Sequence, residues 1–220
     1  MRWVFWGGNT TYLVGTFDGQ RFDPETTPRK LQPSGCHYAA QTFSNIPESD
    51  GRRVMIAWTQ QQLPGMPFSQ FMSVPHSLRL TNDQNGMSLS ADPIHELEII
   101  REDSWEIIDQ DLTNGVHLEA EIKGELLDVE ATINLGKADC AGIVVRGVSV
   151  WYDRLNGGLF NGARTSQISP GLEHLTLRII ADRASVEMFG PMGSTVMISN
   201  GTVMNPSNHT VQFFAVGNGA

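Results

Sequence analysis

The sequence has few cysteines and no long hydrophobic run, and both absences narrow the class of protein. Only two cysteines occur, Cys36 and Cys140, and they lie far apart in the chain. Neither belongs to a CxxC pair or to a cysteine and histidine cluster with the spacing of a metal site. We therefore expect two unpaired thiols, no disulfide framework, no metal site and no cofactor. The apolar runs have the length of strands, much shorter than a membrane span, and predict no membrane partner.

Positive charge is also scarce, with 15 Lys and Arg against 24 Asp and Glu, a net charge of -9. Such a chain lacks the basic surface that attracts nucleic acids and anionic membranes, so we expect neither as a partner. The acidic balance is compatible with a neutral ligand such as a sugar, and ordinary solubility explains it equally well. Residues 1–6 lack the apolar core and the cleavage site of a signal peptide. The sequence does not indicate a cellular compartment.

The hydrophobic periodicity is that of strands. Asp18-Gly19 separates two β-rich runs and predicts a hairpin, and Asn82 to Gly86 predicts a second one. Two prolines exclude a helix in residues 63–70, and only residues 94–101 have helix-like spacing. A strand and a turn in every eight to twelve residues is typical of a propeller blade or a sandwich. The first half of the chain is therefore predicted to be all-β.

From about Trp105 onwards the apolar and charged residues alternate densely. The clearest runs are residues 116–122, 127–133 and 175–180. Each places apolar side chains on one face and charges on the other, as a half-solvated antiparallel strand requires. Several such strands joined by glycine-rich turns predict a two-sheet antiparallel sandwich.

Four segments of the chain match motifs of one known family. Residues 12–19 resemble "YxxGxFDG", 38–58 resemble "YAAQTF…GRRI…W", 65–75 resemble "GMPFNQxMSxP" and 181–189 resemble "DRSSVEIF". In these motifs the chain is similar to glycoside hydrolase family 32, the invertase, levanase and inulinase family. The order and the spacing also match over nearly the whole chain, which makes the resemblance specific.

The resemblance implies a fold, because members of this family have a five-bladed β-propeller followed by a β-sandwich. It implies that residues 1–80 are a propeller remnant, the end of the fourth blade and the fifth. Residues 81–103 would be a connecting segment, and residues 104–220 the sandwich. The resemblance also leads us to expect that the chain is shorter at both ends than members of the family.

The resemblance also implies an activity, the retaining hydrolysis of sucrose or fructan. Retention requires two carboxyl groups roughly 5 Å apart, one as the nucleophile and one as the acid and base. In the family the nucleophile lies in "NDPNG", an orienting Asp in "RDP" and the acid/base Glu in "EC", all before the segments matched here. We therefore expect no catalytic residue in this chain, and no hydrolysis by the chain alone.

Several acids and one histidine imitate catalytic groups. Asp83 lies in Asn-Asp-Gln-Asn-Gly, and Asp23 and Asp92 precede prolines; turn chemistry explains all three. We expect Glu187 to have a structural role on the polar face of its strand. His37 beside Cys36 suggests a nucleophile pair, but neighbours on a strand point to opposite faces, which disfavours it.

Two aromatic residues are candidate sugar contacts. By resemblance, Tyr38 and Trp58 correspond to fifth-blade aromatics that line the fructosyl pocket. An aromatic face can pack on the C–H groups of a sugar ring. Packing in the protein core is the alternative for both residues.

Three functions remain open from the sequence. The first is a non-catalytic remnant whose exposed strand edges make it a homo-oligomer. The second is a sandwich module that binds fructose-containing oligo- or polysaccharides through Trp105, Trp151 and Tyr152. The third is a hydrolase with a site rebuilt across an oligomer interface. Many members of the family are secreted or periplasmic, which is what the resemblance implies about compartment.

Overall fold

The chain is almost entirely β-structure. The computed structural model describes residues 1–33, 35, 37–63, 65–83, 86–199, 205 and 207–217. Within them lie nineteen strands and two short 3-10 helices, η1 (His95–Ile100) and η2 (Pro191–Gly193). The strands are β1 Trp3–Trp6, β2 Thr11–Phe17, β3 Phe22–Pro24, β4 Arg29–Lys30, β5 His37–Thr42, β6 Arg53–Thr59, β7 Phe71–Met72, β8 His76–Asp83, β9 Gly86–Pro93, β10 Leu118–Lys123, β11 Leu127–Asn134, β12 Cys140–Val145, β13 Val148–Asp153, β14 Gly158–Asn161, β15 Arg164–Gln167, β16 His174–Ala181, β17 Val186–Phe189, β18 Val196–Ile198 and β19 Thr210–Val216. No helix in the described ranges has the length and apolar character needed to cross a membrane.

The first part of the chain forms two small antiparallel sheets, which we call the N-terminal sheet and the second sheet. The N-terminal sheet has the order β1-β2-β3, with β4 also paired to β2. The second sheet has the order β5-β6-β8-β9, with β7 also paired to β6. These are the sheets that the sequence predicts as propeller remnant, and the all-β fold class is confirmed.

Both predicted hairpins are present. Between β2 and β3, the Asp18 side chain accepts hydrogen bonds from the backbone N–H groups of Gln20 and Arg21, each at 2.7 Å. Gly19 has a φ of 101°, which a side chain would disfavour. In the β8–β9 hairpin Asp83 pairs with Gly86, and residues 84 and 85 lie outside the described residues.

The rest of the chain forms the predicted sandwich. One sheet has the order β10-β19-β12-β13-β14-β15 and the other has the order β11-β16-β17-β18. The inward residues of β16 alternate with outward ones, so Leu175, Leu177 and Ile179 are buried between the sheets. They pack in one core with Val150 and Tyr152 of the opposite sheet. The alternation read from the sequence therefore identifies the core-facing side chains correctly.

A second core joins the N-terminal sheet and the second sheet, which together we call the blade sheets, to the sandwich. It contains Tyr12 and Val14 of the N-terminal sheet, Met55 of the second sheet, and Phe189 and Val196 of the sandwich. Apolar burial of this kind is the main favourable contribution to such a junction. The two sheets and the sandwich therefore pack as neighbours around shared side chains.

One glycine shows how closely the sandwich and the second sheet approach each other. Gly193 in η2 has a φ of 69°, and a Cβ atom added there would lie 2.5 Å from the carbonyl oxygen of Ala91 in β9. Both the backbone conformation and the space require glycine. The contact brings the sandwich directly against the second sheet.

The predicted domain limits remain a prediction, and the pairing of β9 bears on them. Residues 86–93 pair along their whole length with β8 and so belong to the second sheet. We propose that the blade part ends at Pro93, later than residue 80. Within the helix-like residues 94–101, His95–Ile100 form the 3-10 helix η1, and β10 begins at Leu118.

Candidate functional site

Tyr38 and Trp58 lie side by side on the second sheet. They are direct partners across β5 and β6, and their ring centroids are 6.2 Å apart at an interplanar angle of 65°. Tyr38 is 48% exposed and Trp58 is half-buried, while Met55 and Ala57 of β6 point into the core. The structure therefore brings the two predicted residues together on an open face. Their contact with a sugar remains a prediction.

A β-bulge sets the position of Tyr38. The register of β5 against β6 shifts between Tyr38 and Gln41, and Ala39 has a φ of 47°. Bulges re-aim side chains next to them. The turn after β1 packs against this bulge, because the Gly8 carbonyl accepts a hydrogen bond from the backbone N–H of Ala40 at 3.4 Å. The N-terminal sheet thus reaches the edge of the Tyr38 and Trp58 face.

The segment after β6 extends this face with apolar side chains. Met72 of β7 pairs directly with Trp58 and is 50% exposed. Phe68, in the loop that precedes β7, is 53% exposed and lines a surface cavity together with Met72. Side chains of this kind pack on the C–H faces of a ring rather than on charged groups.

The acids that imitate catalytic groups have structural partners. Asp23 lies in β3 and pairs with Arg21 at 2.9 Å; Asp92 lies in β9 and pairs with Arg79. The interpretation of Asp23 and Asp92 as turn openers is wrong, since both lie within paired strands. Asp83 is the last residue of β8, where it pairs with Gly86 as a hairpin requires.

Glu187 lies at the junction and not on a polar strand face, so that expectation is wrong. All four residues of β17 are buried, and Glu187 itself is 3% exposed. Its Oε1 accepts a hydrogen bond from the backbone N–H of Val74 at 2.9 Å. Burial raises the pKa of the Glu187 carboxyl to about 7. The sequence pattern misled because β17 is covered on both faces, by the sandwich core and by the second sheet.

Two buried histidines lie beside Glu187. His76 Nε2 is 3.5 Å from Glu187 Oε2, and the rings of His37 and His76 are 5.5 Å apart. Burial lowers the pKa of both histidines to about 3, and for His37 the neighbouring His76 adds to the effect. Both nitrogens of His37 and Nδ1 of His76 have no hydrogen-bond partner among the residues that the structure describes.

Sequence reasoning missed this group, which we call the junction cluster (His37, His76 and Glu187). Its members come from β5, β8 and β17, so no spacing along the chain connects them. His37 had been weighed only as a partner of Cys36, which lies outside the described residues. The buried position of His37 follows from its place at the start of β5, facing inward.

The proposed sandwich aromatics do not form one platform. Trp151 stacks on Phe160 with centroids 4.1 Å apart, and it is half-buried. Tyr152 is fully buried, and its hydroxyl donates to the Ser169 carbonyl at 2.7 Å, so it is unavailable to a ligand. Trp105 is 55% exposed, in the segment between η1 and β10. Trp151 and Tyr152 face opposite ways because they are neighbours on one strand.

Comparison with known proteins identifies both parts of the chain. The glycosyl hydrolases family 32 N-terminal domain model matches residues 7–93, and the family 32 C-terminal model matches residues 96–219. A levanase of Bacillus subtilis (strain 168) is 29% identical over 223 residues, which cover 87% of this chain and 33% of the levanase. An extracellular exo-inulinase of Aspergillus ficuum is 23% identical, covering 97% of this chain and 46% of that protein.

Solved structures agree on the fold. The exo-inulinase of Aspergillus awamori has a TM-score of 0.75 at 18% identity, covering 94% of this chain and 47% of that one. Fructan 1-exohydrolase IIa of Cichorium intybus has a TM-score of 0.74 at 19% identity, covering 96% of this chain and 52% of that one. The chain thus spans between about a quarter and about half the length of these and similar relatives.

Proposed function

The chain belongs to glycosyl hydrolases family 32, and we propose that it is the C-terminal part of a retaining fructan or sucrose hydrolase that is inactive by itself. The observation that carries this proposal is the absence of the family's three catalytic motifs from the sequence. No stretch of the 220 residues reads "NDPNG", "RDP" or "EC". Retaining hydrolysis requires a nucleophile and an acid/base group roughly 5 Å apart, and those motifs would supply both.

The two Asp-Pro sequences do not supply the absent motifs. Asp23 pairs with Arg21 and Asp92 pairs with Arg79. Both aspartates lie within paired strands, so each has a structural partner in its sheet.

The test is release of fructose from sucrose, inulin and levan by the purified chain. An active levanase serves as the positive control, and a mock purification controls for host enzymes. We expect no release above the mock preparation. Steady release that co-purifies with the chain would contradict the proposal and would favour the alternative of a site rebuilt between copies.

We also propose that Tyr38 and Trp58 retain a weak contact with fructosyl units. The proposal is supported by the position of the two rings side by side on an open face, next to the exposed Met72. Calorimetric titration with fructose, inulin and levan would show weak saturable binding that is lost in Tyr38→Ala and Trp58→Ala. Trp105→Ala, which removes an exposed aromatic elsewhere, is the matched control. Binding lost in Trp105→Ala but kept in the other two would favour the sandwich module instead.

The proposed partner for the N-terminal sheet is a second copy of the chain. Trp3, Phe5 and Phe17 of this sheet are 47%, 65% and 40% exposed, and Trp3 packs edge-on against Phe17. Large apolar patches on a soluble protein mark interaction surfaces, and β1 is an edge strand that can pair with another. Light scattering after size exclusion should give a mass above 24.2 kDa, falling on dilution and in Phe5→Lys. A monomeric mass at all concentrations would contradict it.

A further inference from the structure

We propose that the junction cluster of His37, His76 and Glu187 is a binding site for a divalent transition metal ion, with Zn²⁺ the best match. The site would connect the second sheet to the sandwich. This proposal does not depend on the proposed hydrolase activity, because the cluster lies at the buried junction of the two parts.

The donor set and the geometry fit a metal ion. The three residues offer two imidazole nitrogens and one carboxylate oxygen, and these ligand atoms all lie within 4.8 Å of one another. Two histidines and one glutamate form a known set of zinc ligands. In a tetrahedral zinc site the ligand atoms would lie roughly 3.3 Å apart, so the longest separation must close by about 1.5 Å. Zn²⁺ binding would therefore draw the three side chains closer together.

Three of the four histidine nitrogens in the junction cluster lack a hydrogen-bond partner among the described residues. Both nitrogens of His37 and Nδ1 of His76 have no hydrogen-bond partner within the described part of the chain, although the two residues are 3% and 0% exposed. Buried polar groups in folded proteins nearly always have a partner. Three such nitrogens in one cluster therefore mark it as a candidate ligand-binding site.

Arg146 shows that the same fold can satisfy a buried polar side chain. Arg146 is 0% exposed, at the turn between β12 and β13. Its guanidinium donates to three backbone carbonyls at 2.5 to 3.1 Å, those of Asn208, Glu125 and Asp182. The junction cluster has no comparable set of partners, although it lies just as deep.

The charges in the cluster also favour a cation. Glu187 is a buried carboxyl group that lies beside two buried histidines. An ionised carboxylate in a protein interior needs a partner charge, hydrogen bonds or a metal ion. Imidazole nitrogen and carboxylate oxygen are both ligands of Zn²⁺. A divalent cation would supply the positive charge that balances an ionised Glu187.

The backbone already orients the carboxylate for this role. The N–H of Val74 binds Glu187 Oε1 at 2.9 Å, and Oε2 is left on the side of His76. A hydrogen bond of this kind fixes the direction of a metal ligand. Three protein ligands leave one position of a tetrahedral ion for a water molecule. Since β5, β8 and β17 all contribute, binding would lock the sheet and the sandwich together.

The experiment uses the untagged chain, stripped with a chelator and dialysed into metal-free buffer. Titration with Zn²⁺ should show a single saturable site, and Co²⁺ should develop the visible absorption of a tetrahedral complex. The melting temperature should rise with Zn²⁺ concentration and return on addition of EDTA, because a ligand that binds only the folded state stabilises it.

Two variants and a control locate the site. In His37→Gln and Glu187→Gln the affinity for Zn²⁺ should fall by more than about 100-fold, the upper end of what loss of an outer-shell partner alone does. His117→Gln removes an exposed histidine that stacks on Phe214, and its affinity should match the wild type.

Absence of saturable Zn²⁺ and Co²⁺ binding by the wild type would overturn the proposal. Binding that survives both substitutions would overturn it as well, because the metal would then lie elsewhere. If the variants do not fold, the Co²⁺ spectrum and the EDTA-reversible melting shift of the wild type decide the question.

Discussion

The sandwich and the N-terminal sheet differ in how completely they cover their apolar side chains. In the sandwich, Ile143, Tyr152 and Ile179 are 0% exposed, because two sheets face one another across a shared core. In the N-terminal sheet, Phe5 is 65% exposed and Trp3 is 47% exposed. The sandwich completes its core from its own strands, whereas the blade sheet covers only one of its faces.

The covered face of the blade sheets is buried against the sandwich. Tyr12 and Met55 pack in the second core with Phe189 and Val196 of the sandwich strands. The Tyr12 hydroxyl also accepts a hydrogen bond from Leu89 of the second sheet at 2.9 Å. The blade sheets thus bury one face against the sandwich, and their outer faces are exposed.

The largest effect is expected from a core truncation in the sandwich. Leu177→Ala removes a 2% exposed side chain from the middle of the core. It should lower the free energy of unfolding by about 2–5 kcal/mol, from lost transfer energy and the cavity left behind. Urea denaturation at equilibrium measures the change.

The matched control is the same substitution in the second sheet. Leu80 in β8 is 41% exposed, so Leu80→Ala should change the free energy of unfolding by less than about 1 kcal/mol. Equal losses for the two variants would contradict the distinction between a closed core and an open face.

An intermediate effect is expected where the two regions touch. Gly193→Ala places a methyl group against the Ala91 backbone in a conformation with φ of 69°. Gly171 has a φ of 73° but nothing within 4 Å of the added Cβ, so Gly171→Ala isolates the conformational part, about 1 kcal/mol. Gly193→Ala should cost about 1–3 kcal/mol more, because it also overpacks the junction. Thermal unfolding of the two variants in parallel measures this difference. Equal losses of stability would show that the junction accommodates the added methyl group.

The smallest effect is expected from an ion-pair group on the surface of the second sheet. Hydrogen bonds from Arg52 lower the pKa of Asp50 and of Glu96 to about 2. Because the folded pKa values are depressed, the pairs stabilise the chain above about pH 4 and are lost as the pH falls towards 2. Asp50 is exposed and Glu96 is half-buried, so solvent screens both ion pairs and the contribution is small.

Urea midpoints at pH 7 and pH 3 measure this contribution. Arg52→Gln should make the midpoint fall less between the two pH values than it does in the wild type. If the urea midpoints of the wild type and the variant fall by the same amount, the Arg52 ion pairs contribute nothing to stability between β6 and η1.

Much of the fold could be predicted from the sequence, and the reasons are local. The alternation in residues 175–180 identifies the buried face of β16, and Asp18-Gly19 identifies a hairpin. The sandwich and the family follow from such patterns and from the four motifs. Tyr38 and Trp58 were also named in advance, since their motif fixes them on neighbouring strands.

The junction was beyond sequence reasoning because it is a contact between parts far apart in the chain. Glu187 looks like a polar-face residue from its neighbours, and only the packing of β17 against the second sheet buries it. His37 and His76 are likewise brought together by the β5, β6 and β8 pairing. Residues that touch across layers leave no periodic signal along the chain.

Hydrogen exchange followed by mass spectrometry tests the contrast between the two regions most directly. The account predicts that amides of β12 and β13 exchange only through global unfolding, because both strands are paired and covered. Amides of β1 and β2 should exchange at least about 100-fold faster in dilute protein, through local opening of the N-terminal sheet. Equal protection in both pairs of strands would contradict the account, because the blade sheets would then be as complete as the sandwich.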